Sequence, residues 1–385
     1  MPSFLYPPAD EVNYATCRIA VLLVDARLAP DLLEQPANPL DALALAARRV
    51  ARVKPQQTLQ QLDRPVLQSV LGHAESVADL CPRRAGSLTI HGMEPVVTAN
   101  EEAIEAWDGP LYDRFVHFRH LLVGGLGVHG DEGLRVVAPA RGERALDIGC
   151  GFGDTTQQLA ELVGPDGSVL GVDAAPRFIE TAREEAAQAG VRNVRFEAVD
   201  VEAHSFDEQF DLAFSRMGTM FFANPVAALR NVRKALVPGG RLAMVVWRSK
   251  VENEGFYRGQ LITERFVTKP DEYDEPTCGP GPFSMGNADT TSGILLSAGF
   301  ENVSLLRCDK PIRIGDDLDE AVEFVMSIGP AGEILRLAGE RAAHLHGKVA
   351  AALREDMAGW AGPDGSVRGP ASTWIVTARA PESSS

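Results

Sequence analysis

Short apolar runs alternate with longer stretches of helical period between residues 97 and 250. This alternation is typical of a parallel sheet whose two faces are covered by helices. The apolar runs predict strands at residues 143–149, 168–173, 194–200, 210–215 and 241–247. The periodic stretches predict helices at residues 155–164, 176–190 and 225–236. Gly164 and Pro176 support these limits, because glycine is favoured just after a helix and proline in its first turn.

The last third of the chain continues this pattern with a long interruption. It predicts a helix at 291–299, a strand at 302–308, helical stretches at 317–327 and 333–360, and a final strand at 372–380. The predicted fold class is therefore α/β, with a seven-stranded, mostly parallel sheet and helices on both faces. We expect the segments at about 250–290 and 309–371 to form a lid, the second of them a helical insertion.

The first 95 residues differ in texture, with two helices predicted at 41–53 and 66–80 but no sustained alternation. They have 9 basic and 10 acidic residues up to Glu94, whereas the rest of the chain has 28 basic and 43 acidic ones. We therefore divide the chain near Gly92 into an extension (1–95) and a main domain (96–385). The extension could be a cap or dimerisation element, could be disordered, or could precede a true start at Met93. Low Lys usage beside many Arg, Pro and Ala residues favours the start at Met93.

The net charge of the chain argues against anionic binding partners. The formal net charge is −16, which repels phosphate backbones and anionic lipid headgroups. No apolar run reaches the roughly 18 residues that span a bilayer, and no signal peptide is recognisable. The five cysteines, at positions 17, 81, 150, 278 and 308, lack the spacing of a metal or redox motif. We expect a cytoplasmic protein with reduced thiols, no metal site, no nucleic-acid partner and no membrane span.

The stretch LDIGCGFGD (residues 146–154) lies where a predicted strand passes into a helix. Its glycines, Gly149, Gly151 and Gly153, allow the backbone to turn sharply and to approach a ligand closely. The N–H groups that begin the next helix favour an anionic group. Asp147, at the strand end, could accept a hydrogen bond from a cationic amino group. This context is the one that a cofactor-binding loop requires.

Acidic residues also end the next two predicted strands. Asp173 follows Gly153 by 20 residues, a position from which a carboxylate can bind the two hydroxyls of a ribose. Asp200 ends the third strand, where a carboxylate can meet an adenine amino group. All three strands end at one edge of the sheet, where open α/β folds bind ligands. A dinucleotide is disfavoured, because its fingerprint needs glycine where this chain has Asp154.

Five segments resemble, in order, the motifs of class I S-adenosylmethionine (SAM) methyltransferases. They are LDIGCGFGD (146–154), VDAAP (172–176), AVDVE (198–202), FDLAFSRMG (210–218) and ALVPGGRLAMVVW (235–247). The likeness is to small-molecule enzymes of the ubiquinone/menaquinone-biosynthesis (UbiE-like) type and covers about residues 97–380. It is strong through Trp247. Beyond that it rests on strand order and on residues 279–300, which are similar to the segment that these enzymes place over the substrate.

The resemblance implies a Rossmann-like sheet with an antiparallel last strand, and SAM as the cofactor. The loop from Gly149 through Cys150 and Gly151 to Gly153, together with Asp147, would hold the methionine moiety. The remaining cofactor contacts would come from the ends of the next strands: Asp173 on the ribose, Ala174 and Val201 beside the adenine, and Asp200 in contact with it. Ser215, Arg216 and Met217 follow the fourth strand, where the transferable methyl group points in this family.

Several residues expected near the methyl acceptor are candidates for a catalytic acid or base, but none is decisive. Positioning and exclusion of water can supply much of the catalysis of methyl transfer. Tyr112, His117 and His120 lie on a helix predicted at residues 107–122, which we expect to cap the cofactor, although each could equally be a packing or surface residue. Arg216 could pair with an anionic substrate group or form a structural ion pair. With Met217, an apolar substrate pocket is predicted from Phe221, Phe222, Phe283 and Met285, which core packing would also explain.

Absent motifs restrict the acceptor to small molecules. No [D/N]-P-P-[Y/F] tetrapeptide follows the fourth predicted strand, and no cysteine follows a proline, which argues against methylation of adenine or cytosine in DNA. The scattered cysteines fit arsenic methylation poorly. The sequence predicts transfer of a methyl group from SAM to carbon, oxygen or nitrogen of a small molecule, and it allows a homodimer. The alternative is a regulatory protein that binds SAM or its product S-adenosylhomocysteine (SAH) without turnover.

Overall fold

The computed structural model describes residues 99–268 and 280–382. The chain divides into two units, Met1–Pro95 and Val96–Ser385, and all described residues belong to the second. The helices predicted at 41–53 and 66–80, and the start considered at Met93, lie outside the described residues. Within the described ranges, no helix is long and apolar enough to cross a membrane.

Seven strands form the main sheet. They are β1 (Arg144–Ile148), β2 (Ser168–Asp173), β3 (Val194–Ala198), β4 (Phe210–Arg216), β5 (Leu236–Trp247), β6 (Glu301–Asp309) and β9 (Ser372–Arg379). Their order is β3-β2-β1-β4-β5-β9-β6, with β1 to β5 mutually parallel and β9 antiparallel to both of its neighbours. This confirms the predicted seven-stranded, mostly parallel fold with an antiparallel last strand. Because the chain leaves β1 toward β2 and later returns to β4, a ligand crevice is expected beyond the end of β1.

Eleven α-helices surround this sheet in the described part of the chain. They are α1 (Ala99–Ala106), α2 (Tyr112–His117), α3 (Leu126–Val137), α4 (Asp154–Val163), α5 (Pro176–Ala189), α6 (Pro225–Ala235), α7 (Glu254–Glu264), α8 (Ala288–Ser297), α9 (Leu318–Ser327), α10 (Pro330–Ala338) and α11 (His346–Met357). Helices α4 and α5 end at Gly164 and Gly190, both with positive φ, as glycine after a helix allows. The predicted alternation of strands and helices from β1 to β5 is therefore observed.

Helices pack on both faces of the sheet. On one face, Phe214 of β4 and Val245 of β5 are buried with Leu134 of α3 and Leu159 of α4. The opposite face buries a larger apolar cluster, to which α6, α8 and the insertion contribute. Burial on both faces explains why the central strands read as continuous apolar runs rather than alternating ones.

The segment at 309–371 corrects the prediction of a purely helical insertion. It contains α9, α10 and α11, but β7 (Ile312–Gly315) and β8 (Val367–Gly369) pair at its base as a second, antiparallel sheet. The helix predicted at 333–360 is divided between α10 and α11 by short 3₁₀ turns at residues 339–345. Strand β7 was missed because four residues are too few for a visible alternation of apolar and polar positions.

The helix predicted at 107–122 is also interrupted. Residues 107–125, called the cap segment below, consist of a π-helical turn (Trp107–Leu111), α2, and a second π-helical turn (His120–Gly125). Gly109 has non-helical dihedral angles, and Pro110 follows it. Proline removes a backbone N–H and clashes with the preceding turn, which accounts for the irregularity.

Helix α3 packs closely against the sheet at Gly133, and Gly127 in the same helix provides a matched control. A Cβ atom at Gly133 would lie 2.6 Å from Val245 Cγ2 and 3.2 Å from Phe214 Cζ, whereas one at Gly127 would meet nothing within 4 Å. We expect Gly133→Ala to destabilise the protein by about 1–3 kcal/mol through overpacking. Gly127→Ala, in the same helix, should stabilise it by about 0.5–1 kcal/mol. Urea unfolding measures both, and an equal response of the two variants would contradict the close packing at Gly133.

Candidate functional site

The glycine loop between β1 and α4 occupies the crevice beyond the end of β1. Gly149, Gly151 and Gly153 have φ angles of +65°, +52° and +79°, the left-handed region in which residues with a Cβ atom are strained. A Cβ atom at Gly149 would lie 2.8 Å from Gly218 Cα, so the loops after β1 and β4 touch backbone to backbone. At Gly151 the nearest atom would be 3.8 Å away, so the middle of the loop has an open side.

Asp173, at the end of β2, holds this loop. Its Oδ2 accepts a hydrogen bond from Gly151 N–H at 3.0 Å, and its Oδ1 accepts one from Ala175 N–H at 3.0 Å. Burial raises the pKa of Asp173, and these backbone donors oppose the rise. Each carboxylate oxygen keeps a further lone pair that could accept a hydrogen bond from a ligand hydroxyl. The side chain thus organises the loop in addition to any contact with a ribose.

Asp147 lies beneath the loop and is 1% exposed. Thr156 Oγ1, in the first turn of α4, donates a hydrogen bond of 2.7 Å to its Oδ2. Burial raises the pKa of Asp147 to about 7, although Thr156 and the charge of Arg216 oppose the rise. A carboxyl group with a pKa near neutrality is a common feature of ligand sites, because an incoming cation can stabilise its charged form.

The turn after β3 brings Asp200, Val201 and Glu202 to the same edge of the sheet. Asp200 Oδ1 accepts a hydrogen bond from Glu202 N–H at 2.9 Å, and Val201 is buried. Glu202 is committed elsewhere, since its carboxylate accepts N–H groups of Ala223 and Asn224. The contact of Asp200 with a ligand stays a prediction. Ala174, which follows β2, is half-buried.

The end of β4 faces the glycine loop from the other side. The buried Ser215 hydroxyl donates a hydrogen bond of 2.8 Å to Ile148 O, which links β4 to β1. Met217 has a φ of +64°, rare for a residue with a side chain, and its N–H donates to Val245 O at 2.9 Å. Arg216 is half-buried, and its guanidinium donates to Val123 O at 3.3 Å. Strained backbone of this kind is concentrated at functional sites.

Cys150 is the one predicted loop residue that turns away from the crevice. Its side chain is buried with Ile179, Ala182 and Phe196 between α5 and the sheet. Burial raises the pKa of this thiol well above its usual range, so it stays protonated. The Cys150 side chain therefore contributes packing, and a cofactor contact through its backbone stays a prediction.

The cap segment places the three predicted acid–base candidates in different settings. The Tyr112 hydroxyl shares a hydrogen bond of 2.7 Å with Thr181 Oγ1 of α5. His117 and His120 point to α9 instead, where Nε2 of each lies 3.1 Å from Glu323 and 3.0 Å from Glu320. Both imidazoles are about half exposed or more, with 61% and 48% of the side chain accessible. They connect the cap segment to the insertion, and a catalytic role for them stays a prediction.

Aromatic side chains connect the cap segment to the glycine loop. The Trp107 ring makes edge contacts with Phe115 and Phe221 at centroid distances of 5.1 and 4.9 Å. Tyr112 packs on Phe178 at 4.9 Å, and Phe178 packs on Phe152 of the glycine loop at 4.8 Å. Of the predicted pocket residues, Phe221 belongs to this group. Phe222, Phe283 and Met285 pack against the main apolar core next to it.

The segment at 281–285 lies close to Phe221. Gly281 N–H and the Ser284 hydroxyl both donate to the carbonyl oxygen of Met220, at 3.0 and 2.7 Å. This arrangement brings Phe283 and Met285 to the turn that follows β4. The predicted pocket residues therefore share one region of the structure, although Met285 is only 1% exposed.

Several site residues were missed from the sequence. Gly218 mirrors Gly149, Thr156 supports Asp147, and Phe152 carries the aromatic contacts of the loop. Arg119 was also missed: its guanidinium lies 4.4 Å above the Phe152 ring and pairs with Asp154 (3.1 Å) and Glu185 (2.6 Å). The glycine that ends FSRMG (214–218), just after the fourth predicted strand, was a visible signal for Gly218. The others depend on contacts between segments far apart in the chain.

Arg119 ties the cap segment to the glycine loop, so its loss should be costly. We expect Arg119→Met to lower the free energy of unfolding by about 1–2 kcal/mol, because two partly buried carboxylates lose their shared partner. Arg336→Met removes an exposed pair with Glu333 and should change it by less than about 0.5 kcal/mol. Urea denaturation of both variants tests this, and a loss at Arg119 no larger than that at Arg336 would contradict the anchoring role.

Comparison with known proteins assigns the chain to a class of enzymes. A family model described as a methyltransferase domain matches residues 139–276. The chain is 32% identical over 178 residues to the ubiquinone/menaquinone biosynthesis C-methyltransferase UbiE of Stutzerimonas stutzeri, covering 42% of this chain and 67% of that protein. The chain belongs to the class I SAM-dependent methyltransferases. SAM is the cofactor of this class.

Two further matches show how much of each chain is similar, and they assign no further function to this chain. The chain is 42% identical over 106 residues to the aklanonic acid methyltransferase DauC of a Streptomyces species, covering 27% of this chain but only 48% of that protein. The YcgJ protein of Bacillus subtilis aligns with 68% of this chain and 99% of its own, at 18% identity and a TM-score of 0.44. The chain thus spans about half to two thirds of the curated relatives named here.

Proposed function

We propose that this protein transfers a methyl group from SAM to a small-molecule acceptor and releases SAH. The observation that carries the proposal is the glycine loop. Its three left-handed glycines lie between two carboxylates, Asp147 below and Asp173 beside it, at the edge where the direction of the sheet connections reverses. Family membership supports the same chemistry.

The residues present fit SAM. Among the described residues, buried Asp147 accepts a hydrogen bond from Thr156 and none from a cation, so it is suited to an ammonium group such as that of the methionine moiety. The open side of Gly151 admits a close approach to the loop backbone. Asp173 is placed for the ribose hydroxyls, and Ala174, Asp200 and Val201 form the wall for the adenine. When bound, SAM supplies an electrophilic methyl group on its sulfonium sulfur.

The rest of the site positions the acceptor and excludes water. The turn Ser215–Met217 faces the loop where the methyl group would be presented. An acceptor ring would meet apolar surface from Phe221, Phe222, Phe283 and Met285. Trp107, which belongs to the cap segment, covers this surface through its contact with Phe221. A dry, preorganised pocket accelerates group transfer by orienting the nucleophile and removing competing water. No general base is needed for an acceptor that is already anionic.

Calorimetric titration with SAH, beside NADH, tests the cofactor. We expect micromolar-range binding of SAH alone. Asp173→Ala should weaken it by at least about tenfold, since a charge-assisted ribose contact and the anchor of Gly151 are both lost. Asp166→Ala, the same change at an exposed turn, should have no effect. Equal affinity of wild type and Asp173→Ala, or no binding of SAH to the wild type, would refute the assigned site.

Turnover is tested with tritiated SAM and a panel of quinone, phenol, amine and carboxylic acid acceptors. One relative is named for aklanonic acid and another for ubiquinone/menaquinone biosynthesis, which guides the choice of the first compounds. Methylation of any panel member supports an enzyme. Tight SAH binding without turnover on the whole panel would instead favour the regulatory alternative. The cytoplasmic location and the homodimer are further proposals, and sedimentation velocity tests the latter.

A further inference from the structure

The guanidinium of Arg216 makes few polar contacts with the described residues. It is the last residue of β4, and helix α3 packs on its aliphatic stem so closely that a Cβ atom at Gly130 would lie 2.7 Å from Arg216 Cδ. A guanidinium carries five N–H donors. Only one bond is made with the described residues, the 3.3 Å contact to Val123 O, and no described carboxylate forms an ion pair with it.

The acids around Arg216 are engaged with other groups. Burial lowers the pKa of Arg216, and the charges of Asp147, Asp154 and Asp131 oppose this lowering. However, Asp147 accepts the hydrogen bond of Thr156, Asp154 pairs with Arg119, and Asp131 accepts a bond from Gln158. They create a negative surrounding that keeps Arg216 charged, yet they leave most of its donors to another group.

Two other partly buried arginines are paired with carboxylates, whereas Arg230 and Arg233 donate, like Arg216, to single backbone carbonyl groups. Arg241 has both oxygens of Glu143 at 2.6 Å, and Arg119 has Asp154 and Glu185. Arg216 is only half-buried, so its unused N–H donors can reach a ligand, and a ligand that encloses them would need to supply the opposite charge. A planar guanidinium is matched in shape to a carboxylate, which it binds through two parallel hydrogen bonds.

We propose that Arg216 binds a ligand carboxylate in the methyl-transfer site, supplied either by the methionine end of SAM or by the acceptor. This inference rests on the proposed function. The neighbouring Asp147 and Asp154 lie at the methionine end of the assigned site, and Met217 lies at its methyl end, so Arg216 is between the two sources. In either case it decides which ligands bind, and it is a binding residue rather than an acid or base.

Calorimetry with two cofactor analogues separates the sources. The probes are SAH and S-adenosyl-3-thiopropylamine, which lacks only the carboxylate of SAH. If the methionine carboxylate is bound, Arg216→Met weakens SAH about 10- to 100-fold and leaves the decarboxylated analogue unchanged. Arg216→Lys, which keeps the charge but not the two-pronged geometry, should fall between. Arg233→Met, at an arginine that also donates to a single carbonyl group, should change neither affinity.

The acceptor is tested in the SAH complex with benzoate, 4-hydroxybenzoate and 1-naphthoate, each beside its primary amide. Binding of an acid in preference to its amide, lost in Arg216→Met while SAH affinity is kept, assigns the carboxylate to the acceptor. Unchanged SAH affinity in Arg216→Met, together with acid binding that is equal in both proteins or absent from both, overturns the proposal. Failure of the wild type to bind either cofactor analogue would instead refute the proposed function.

Discussion

At pH 8, Asp147→Asn is expected to stabilise the protein and to remove most of its affinity for SAH. The two effects have one cause. The folded protein buries Asp147 under the glycine loop with a pKa of about 7, far above the usual value of 3.8. At pH 8 the carboxyl group is therefore ionised in an environment that disfavours the charge.

The stability effect has a defined direction with pH. Between pH 4 and 7 the folded state keeps a proton that the unfolded state has released, so this group lowers stability as the pH rises through that range. Asparagine carries no charge and can still accept the hydrogen bond of Thr156. We expect Asp147→Asn to gain about 3–4 kcal/mol at pH 8 but only about 1–2 kcal/mol at pH 5, where the pH has passed the unfolded-state pKa but not the folded-state one.

The pH dependence of SAH affinity is expected to be opposite to that of stability. The ammonium group of SAH would stabilise ionised Asp147, so wild-type affinity should rise about tenfold between pH 6 and 8. In Asp147→Asn the affinity should be at least about tenfold lower at pH 8 and nearly independent of pH, because a hydrogen bond to a charged group is replaced by a neutral one.

Urea unfolding at pH 5 and 8, and calorimetry with SAH at pH 6, 7 and 8, measure both parts. Asp211→Asn is a suitable control, since Asp211 is only partly buried and pairs with Arg144 away from the loop. A stability change that is the same at both pH values would contradict the buried charge. Unchanged SAH affinity would show that Asp147 supports the loop without meeting the ligand.

The central part of the fold was predictable because its signals are local. Strands β1, β2, β4 and β5 contain continuous runs of buried residues, and Gly164, Gly190 and Pro176 mark the helix limits in the sequence itself. The carboxylates of Asp147 and Asp173 were also predictable, since parallel strands bring their carboxyl ends to one edge. The residues that end these strands and form the following turns lie within a few positions of each other, so the sequence alone indicates where they meet.

The insertion and the supports of the site were not predictable in the same way. Strand β7 pairs with β8 across more than fifty residues, and its four residues have no periodicity of their own. The Arg119 contacts join α5, the glycine loop and the cap segment, which are distant in sequence. Likewise, the sequence left Arg216 open between an ion pair and a ligand contact. Only the placement of α3, α4 and β1 around it shows which carboxylates are already engaged.

Gly151→Ala should nearly abolish SAH binding at a modest cost in stability, and Gly190→Ala isolates that cost. Both glycines have positive φ, +52° and +69°, and neither has a close neighbour at the position of a Cβ atom. Each substitution should therefore lower the free energy of unfolding by about 1–2 kcal/mol through backbone strain.

The two variants differ in what occupies the space beside them. At Gly190 a methyl group would enter solvent after α5, whereas at Gly151 it would fill the open side of the loop that we assign to the cofactor. We expect SAH affinity to fall by at least about 100-fold in Gly151→Ala, since close backbone approach is what glycine permits in such loops, and to stay unchanged in Gly190→Ala. Calorimetry and urea unfolding on the pair provide the measurement. If both variants lose stability equally and both keep SAH affinity, the open side of Gly151 does not face the cofactor.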